Sequence, residues 1–221
     1  MPGAGFLHLG TDESHMVARM SSPARATSLH RAERRARERS LTRAAILDSA
    51  RRVAAREGAA NLSLRAVAAE AGFAPAALYG YFSNKNELLI ALAAEDLTGL
   101  AHAMRDARPD GGSRLGAAAA AALALLETTE TIATAPTALP AHAGSGEAER
   151  HFNGKLIAAL RALSEAAGNP GDSRETQSDV VLLAAVLAGL AVFARSGRLE
   201  ALGFSAADMI AALDRRFSPA R

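Results

Sequence analysis

Residues 61–89 read NLSLRAVAAEAGFAPAALYGYFSNKNELL. Ser63 stands before the apolar positions Leu64, Val67 and Ala68, a spacing that predicts a short helix capped by the serine hydroxyl. Gly72 falls in the short turn AGF. Pro75 opens a second short helix, where its missing N–H costs nothing, and the pattern carries that helix to about Tyr81. Asn84 with Glu87 three residues on is a capping-box-like start to a longer helix. The stretch contains both tyrosines of the chain, Tyr79 and Tyr81, and one of its two lysines, Lys85. Two short helices joined by a turn containing glycine are the plan of a DNA-binding helix-turn-helix, whose second helix enters the major groove.

Upstream, Ala45, Ile46, Ala50, Val53 and Ala54 form an apolar stripe of helical period. They predict a helix from about Leu41 to Glu57, stopped by Gly58. Residues 1–39 have no sustained apolar period and end in HRAERRARERS, with Arg31, Arg34, Arg35, Arg37 and Arg39. Glu33 and Glu38 allow helix by i,i+4 pairing. Two readings stay open: a basic arm reaching DNA phosphates or a minor groove, and a solvated extension without fixed structure. The opening residues are too broken by Gly, Asp and Glu for a secretory signal, and Met16 or Met20 is an alternative start.

Downstream, a helix through LLIALAAEDLTGLAHAMRDA runs to the breaker PDGG. Further helices are predicted from Ser113 to about Ile132, Glu147 to Ala167, Glu175 to Arg195, and from a Ser205 cap to about Phe217. An irregular connection with Pro136 and Pro140 and the turn NPGD at 169–172 separate them. No internal repeat is visible. Hydrophobic residues make up 49% of the 221 positions and aromatic residues 4%, so alanine and leucine supply most of the core. Both are strong helix formers, which makes the fold all-α. The chain is divided at this stage into a basic extension (1–39), a helix-turn-helix domain (40–86) and a larger helical domain (87–221).

Charge is split along the chain. Residues 1–89 hold 13 Lys+Arg and 8 Asp+Glu, a balance of +5, and residues 90–221 hold 12 and 15, a balance of −3. That suits a nucleic-acid-binding head on a non-binding body. In the head, Tyr79 and Tyr81 read as phosphate contacts through their hydroxyls, although one ring is alternatively a core residue, since positions two apart diverge by roughly 200°. Phe82 is the stronger core candidate. Lys85 lies in a helical first turn, where free N–H groups also favour a phosphate. Ala74, Pro75, Ala76 and Ala77 are small enough for close approach to the groove, where methyl groups can touch thymine methyls. Base reading then leans on Arg65, backbone groups, water or DNA shape. Ser63 divides between capping and phosphate.

Residues 41–89 resemble the N-terminal DNA-binding domain of the TetR (tetracycline-repressor-like) family. The likeness rests on the apolar first helix ending in Gly58, LSLRAVAAEAG, the turn at Gly72, ALYGYF and NKNELL. It implies an all-α homodimer that binds a near-palindromic double-stranded operator and represses transcription. In such a protein a small molecule in the C-terminal domain releases the DNA. By position it makes Ser63, Arg65, Tyr79, Tyr81 and Lys85 backbone or edge contacts and turns Pro75, Ala76 and Ala77 to the bases. Gly80 stands where many relatives carry a larger polar residue, which removes one contact.

The body has no comparable signature. The resemblance implies a ligand cavity among its middle helices and dimerisation by the last two long ones. Candidate lining residues are His102, Leu126, Glu127, Thr131, His151, Phe152 and Phe193, and the Ala, Leu and Val content favours an apolar ligand. The run Val180–Ala194 is apolar all round, with Ala184, Ala185, Ala188 and Gly189 permitting close helix approach. At 15 residues it is short of the ~20 needed to cross a bilayer. With no cysteine, thiolate catalysis, disulfides and Cys-ligated zinc are excluded, and a reducing cytoplasm fits. His142 and His151 lack a carboxylate at ligand spacing, so no metal or other cofactor is expected. The GSG at 144–146 is not a nucleophile elbow, no phosphate-binding glycine motif is present, and Glu127 with Glu130 reads as a solvated helix edge. The expectation is a cytoplasmic, ligand-responsive repressor without enzymatic activity and without a membrane segment. The alternative is a DNA-binding regulator with no small-molecule effector.

Overall fold

The computed structural model describes residues 23–129, 131–132, 146–168, 171 and 173–217. The Met16 and Met20 starts, Glu130, Pro136, Pro140, His142 and most of the NPGD turn lie outside the described residues. What is described is helical, without a strand: α1 Pro23–Glu57, a 3₁₀ turn Ala59–Asn61, α2 Leu64–Ala71, α3 Pro75–Leu78, α4 Lys85–Asp106, α5 Arg114–Thr128, α6 Glu147–Ala166, α7 Arg174–Arg195, α8 Arg198–Ala201 and α9 Ala206–Phe217. The chain divides into two compact units, 1–44 and 45–221.

The first unit corrects the predicted helix start. Helix α1 begins at Pro23 rather than near Leu41 and is 35 residues long. Between Pro23 and Gly58 there is no glycine or proline, and alanine, arginine and glutamate favour helix, so nothing breaks it. The side chains of residues 29–41 are all exposed.

The second unit contains two apolar clusters. One joins the end of α1 to α2, α3 and the start of α4: Ile46, Leu47, Val53, Val67, Leu78, Phe82, Leu88 and Leu92 are sealed within it. The other joins α4–α7 and α9 through Leu97, Met104, Leu115, Leu123, Phe152, Leu163, Leu183, Leu187 and Leu213. Helix α4 runs through both, which is why every residue from Leu88 to Ala94 is buried. Alanines fill the second core where helices cross: Ala93, Ala94, Ala118, Ala119, Ala122 and Ala162 are all sealed. Caps follow the predicted serines, with Ser113 Oγ accepting from Gly116 N at 2.9 Å and Ser205 Oγ from Asp208 N at 3.1 Å.

Helix α7 has two unlike faces. Thr176, Val180, Leu183, Leu187 and Ala191 are buried in a stripe. Val181, Leu182, Val186, Val192 and Phe193 are exposed on the other side. The whole 22-residue helix, unlike its uncharged core run, is long and apolar enough to cross a membrane by length and composition. Its buried stripe packs against α5, α6 and α9. The short helix α8 was not foreseen; Gly197, at φ 67°, makes the left-handed turn that separates it from α7.

Phe82→Ala should cost about 3–5 kcal/mol, because a ring with 1% exposure leaves a cavity at the centre of the head. Denaturant unfolding followed by circular dichroism measures it; a loss below 1 kcal/mol, the scale of a surface change, contradicts this packing.

Candidate nucleic-acid interface

Ser63 begins the motif as predicted for a cap: its hydroxyl accepts from Ala66 N at 3.2 Å. Helix α2 ends at Gly72, whose φ of 72° is left-handed. Its N–H reaches the Ala69 carbonyl at 3.3 Å and Phe73 N reaches Ala68 O at 2.9 Å, satisfying the last carbonyls of the helix. The chain then turns directly into Pro75.

Helix α3 is one turn of regular helix, Pro75–Leu78, and the predicted extension to Tyr81 is a hydrogen-bonded turn. Gly80 N bonds Ala77 O at 3.2 Å, and Tyr81 N and Phe82 N both reach Leu78 O at 2.9 Å. Leu78 alone of this helix is buried; Ala74, Pro75, Ala76, Ala77 and Tyr79 face out. A side chain at Gly80 would meet the Ala77 carbonyl at 3.3 Å, so the glycine suits a tight turn.

The two tyrosines separate. Tyr79 is 58% exposed. Tyr81 is half-buried and packs on the head core, the alternative that its two-residue offset left open. Lys85 is half-buried, and its ammonium donates to the Ala60 carbonyl, tying the start of α4 to the 3₁₀ turn. Asn84 Oδ1 accepts from Glu87 N at 2.9 Å, and the Glu87 carboxylate accepts from Ser83 N at 2.7 Å. Of the first-turn N–H groups read from the sequence as open to a phosphate, that of Glu87 is used by the chain itself. Arg65 is exposed on α2.

Helix α2 is held to α1 by charge. Arg52 Nε donates to Glu70 at 2.8 Å and Arg56 Nη1 to the other oxygen at 3.3 Å. Arg52 also donates to Ser49 Oγ at 2.9 Å, and Ser49 to the Ala45 carbonyl at 3.0 Å. The hydrogen bond from Arg52 holds the Glu70 carboxyl below its ordinary 4.5; desolvation opposes this, and the charge of Arg56 adds to it.

Sequence reading missed Asp96. It is 8% exposed on α4, and Arg51 donates to its Oδ1 from Nε at 3.2 Å and from Nη2 at 3.0 Å. The Thr131 hydroxyl donates to its other oxygen. Helical period puts Asp96 on the face of Leu92, Ala93 and Leu100, so a carboxylate in an apolar register was the available signal.

The pocket candidates are not gathered. His102 and His151 are exposed, Phe193 is 46% exposed, and Leu126 and Phe152 are core residues. Thr131 is the partner of Asp96, not a lining residue. Glu127 borders a cleft of about 820 Å³ with Arg195, Leu199, Phe204 and Asp208. A second cleft of about 590 Å³ lies between α6 and α7, lined by Ile157, Leu160, Arg161, Thr176, Val180 and Val181 among others. Among the described residues no group of three or more His, Asp or Glu is placed to hold a metal.

Residues 46–92 match the model of the bacterial regulatory proteins of the tetR family. An uncharacterised helix-turn-helix transcriptional regulator of Haemophilus influenzae is 41% identical over 75 residues, 34% of this chain and 37% of the relative's length. Solved structures agree in fold over most of the chain. A protein described as regulatory, SCO4313, has a TM-score of 0.60 at 22% identity, covering 82% of this chain and 97% of its own. A transcriptional regulator of Rhodococcus sp. Rha1 has a TM-score of 0.55 at 21% identity, covering 81% and 99%. The regulator FadR of Bacillus subtilis, solved with stearoyl-CoA, has a TM-score of 0.54 at 17% identity, covering 79% and 96%.

The acid range tests the α1–α2 link. A carboxyl with a depressed native pKa stabilises fully above its unfolded value, and this is lost as pH falls through the native one. Glu70→Gln should therefore be less stable than wild type near neutral pH, with the gap closing as pH drops below 4.5. Urea midpoints across that range check it; a gap independent of pH contradicts the assignment.

Proposed function

We propose that this chain, whose residues 46–92 match the tetR-family model, is a DNA-binding transcriptional regulator: a homodimeric repressor released from a near-palindromic operator by a small, largely apolar ligand. The observation that carries the DNA reading is the outward row Ala74–Ala77 and Tyr79, held on one buried leucine. Pro75, Ala76 and Ala77 approach base edges, while Ser63, Arg65, Tyr79 and Lys85 face phosphates. Lys85 has three donors and gives one to Ala60, so it can bridge the chain and a phosphate. Tyr81 keeps its ring in the head and reaches a phosphate only with its hydroxyl edge.

The second copy belongs on the exposed apolar side of α7, where Leu182 and Val186 stand beside the small Ala185 and Gly189. Two heads would then meet successive major grooves about 34–36 Å apart. For the effector, the cleft between α6 and α7 has the volume of a ligand site and mixes apolar walls with Arg161. A fold neighbour solved with stearoyl-CoA supports including acyl thioesters among the compounds tried. The pathway from body to head runs through Asp96, which Thr131 holds from one side and Arg51 from the other. A ligand coupling of ~1–3 kcal/mol would weaken operator binding ~5–150-fold.

The alanine-packed core favours a second reading, a regulator without a small-molecule effector. A thermal-shift panel separates the two: a compound that raises the melting temperature and lowers operator affinity supports release by ligand, and none doing both supports the other.

Selection of bound duplexes from a random pool should yield a two-fold symmetric site; no enrichment overturns the regulator reading. On that site Tyr79→Phe and Lys85→Ala should weaken binding alike across sequences, and Lys85→Ala should lower the slope of log affinity against log salt by about one unit. Unchanged affinity in both removes the phosphate assignment. Leu182→Glu with Val186→Glu should convert dimers to monomers in sedimentation, while unchanged dimers place the seam elsewhere.

A further inference from the structure

Helix α1 carries arginine at 31, 35, 39 and 43, one every four residues. Each step advances about 40° around a helix and about 6 Å along it. The four stems therefore share one sector of roughly 120° over about 18 Å. Arg31, Arg35 and Arg39 are exposed and Arg43 is half-buried. Of the segment's carboxylates, Glu33 pairs with His30 at 3.6 Å and Glu38 with Arg34 at 3.6 Å, and within the row Arg35 Nε donates to the Arg31 carbonyl at 3.4 Å.

Four arginines in one sector make a basic stripe, to which a polyanion is complementary. The alternatives fit less well. Leu29 and Leu41 are 62% and 67% exposed and about 120° apart around the helix. They make no continuous apolar face for a lipid surface or a partner helix. Guanidinium forks pair with phosphate oxygens in two-pronged geometry, and duplex DNA offers one phosphate charge per about 1.7 Å of axis.

We propose that the row Arg31–Arg35–Arg39–Arg43 is a second DNA-contact element, one that binds phosphates of duplex outside the base pairs read by the helix-turn-helix. This rests on the DNA-binding reading of the head, to which the row is covalently joined and which supplies a high effective concentration of duplex. The row carries affinity and salt dependence; it carries no sequence preference, because phosphates are alike at every step.

The test uses the full chain and two duplexes: the selected operator core, and the same core extended by one helical turn, about 10 bp, at each end. In a variant with Arg31→Gln, Arg35→Gln, Arg39→Gln and Arg43→Gln, the salt slope on the extended duplex should fall by about 3.6 units. Sequence preference on the core should be unchanged. Lysine at the same four positions should keep the slope. A triple variant that spares Arg43 should fall by about 2.7 units and serves if the fourth change disturbs folding. An unchanged slope in the glutamine variants overturns the inference. So does a change in sedimentation without a change in slope, which would mean that the row docks on a second copy. A wild-type chain that selects no duplex, yet loses salt slope on glutamine substitution, keeps the row and rejects the head reading.

Discussion

One buried leucine holds the candidate interface in place. A helix of four residues has no stability of its own in water, because nucleation costs more than one turn returns. Helix α3 exists because Leu78 is sealed in the head core and Phe82, just beyond it, is sealed beside it. That anchoring leaves Ala74–Ala77 and Tyr79 no direction but outward. The small residues are a consequence of the same constraint: a single turn pinned at one end can present a close-approach surface only if nothing bulky lies on its free side.

The head is rigidified from two directions. Glu70 collects Arg52 and Arg56 and fixes α2 against α1. Asp96 collects Arg51 and Thr131 and fixes α1 against α4 and the segment after α5. The second arrangement is the more consequential, because a buried carboxylate needs both partners. Withdrawal of Thr131 by a rearrangement in the body would leave Asp96 to be satisfied by Arg51 alone, and Arg51 is part of the helix that supports the head.

In the body, α7 divides its apolar residues between two uses. One stripe is consumed by the monomer core, and the opposite stripe is left facing out. An uninterrupted apolar sequence is the natural product of a helix with obligations on both sides.

Much of the molecule could be read from local chemistry. The Ser63 and Asn84 caps, the left-handed turn at Gly72, Pro75 at a helix start and the alanine–leucine composition are each decided within a few residues. They determined the all-α class and the helix-turn-helix plan. What lies further apart in the chain was out of reach. Tyr79 and Tyr81 differ only in which side of a turn meets the core. Lys85 meets a carbonyl 25 residues earlier, and Asp96 meets Arg51 and Thr131 at separations of 45 and 35 residues. Composition names the candidates for a cavity, but only packing decides whether His102, Phe152 and Phe193 share one. The reason is physical: caps and turns depend on neighbouring backbone groups, whereas burial and ion pairing depend on which distant helix arrives alongside.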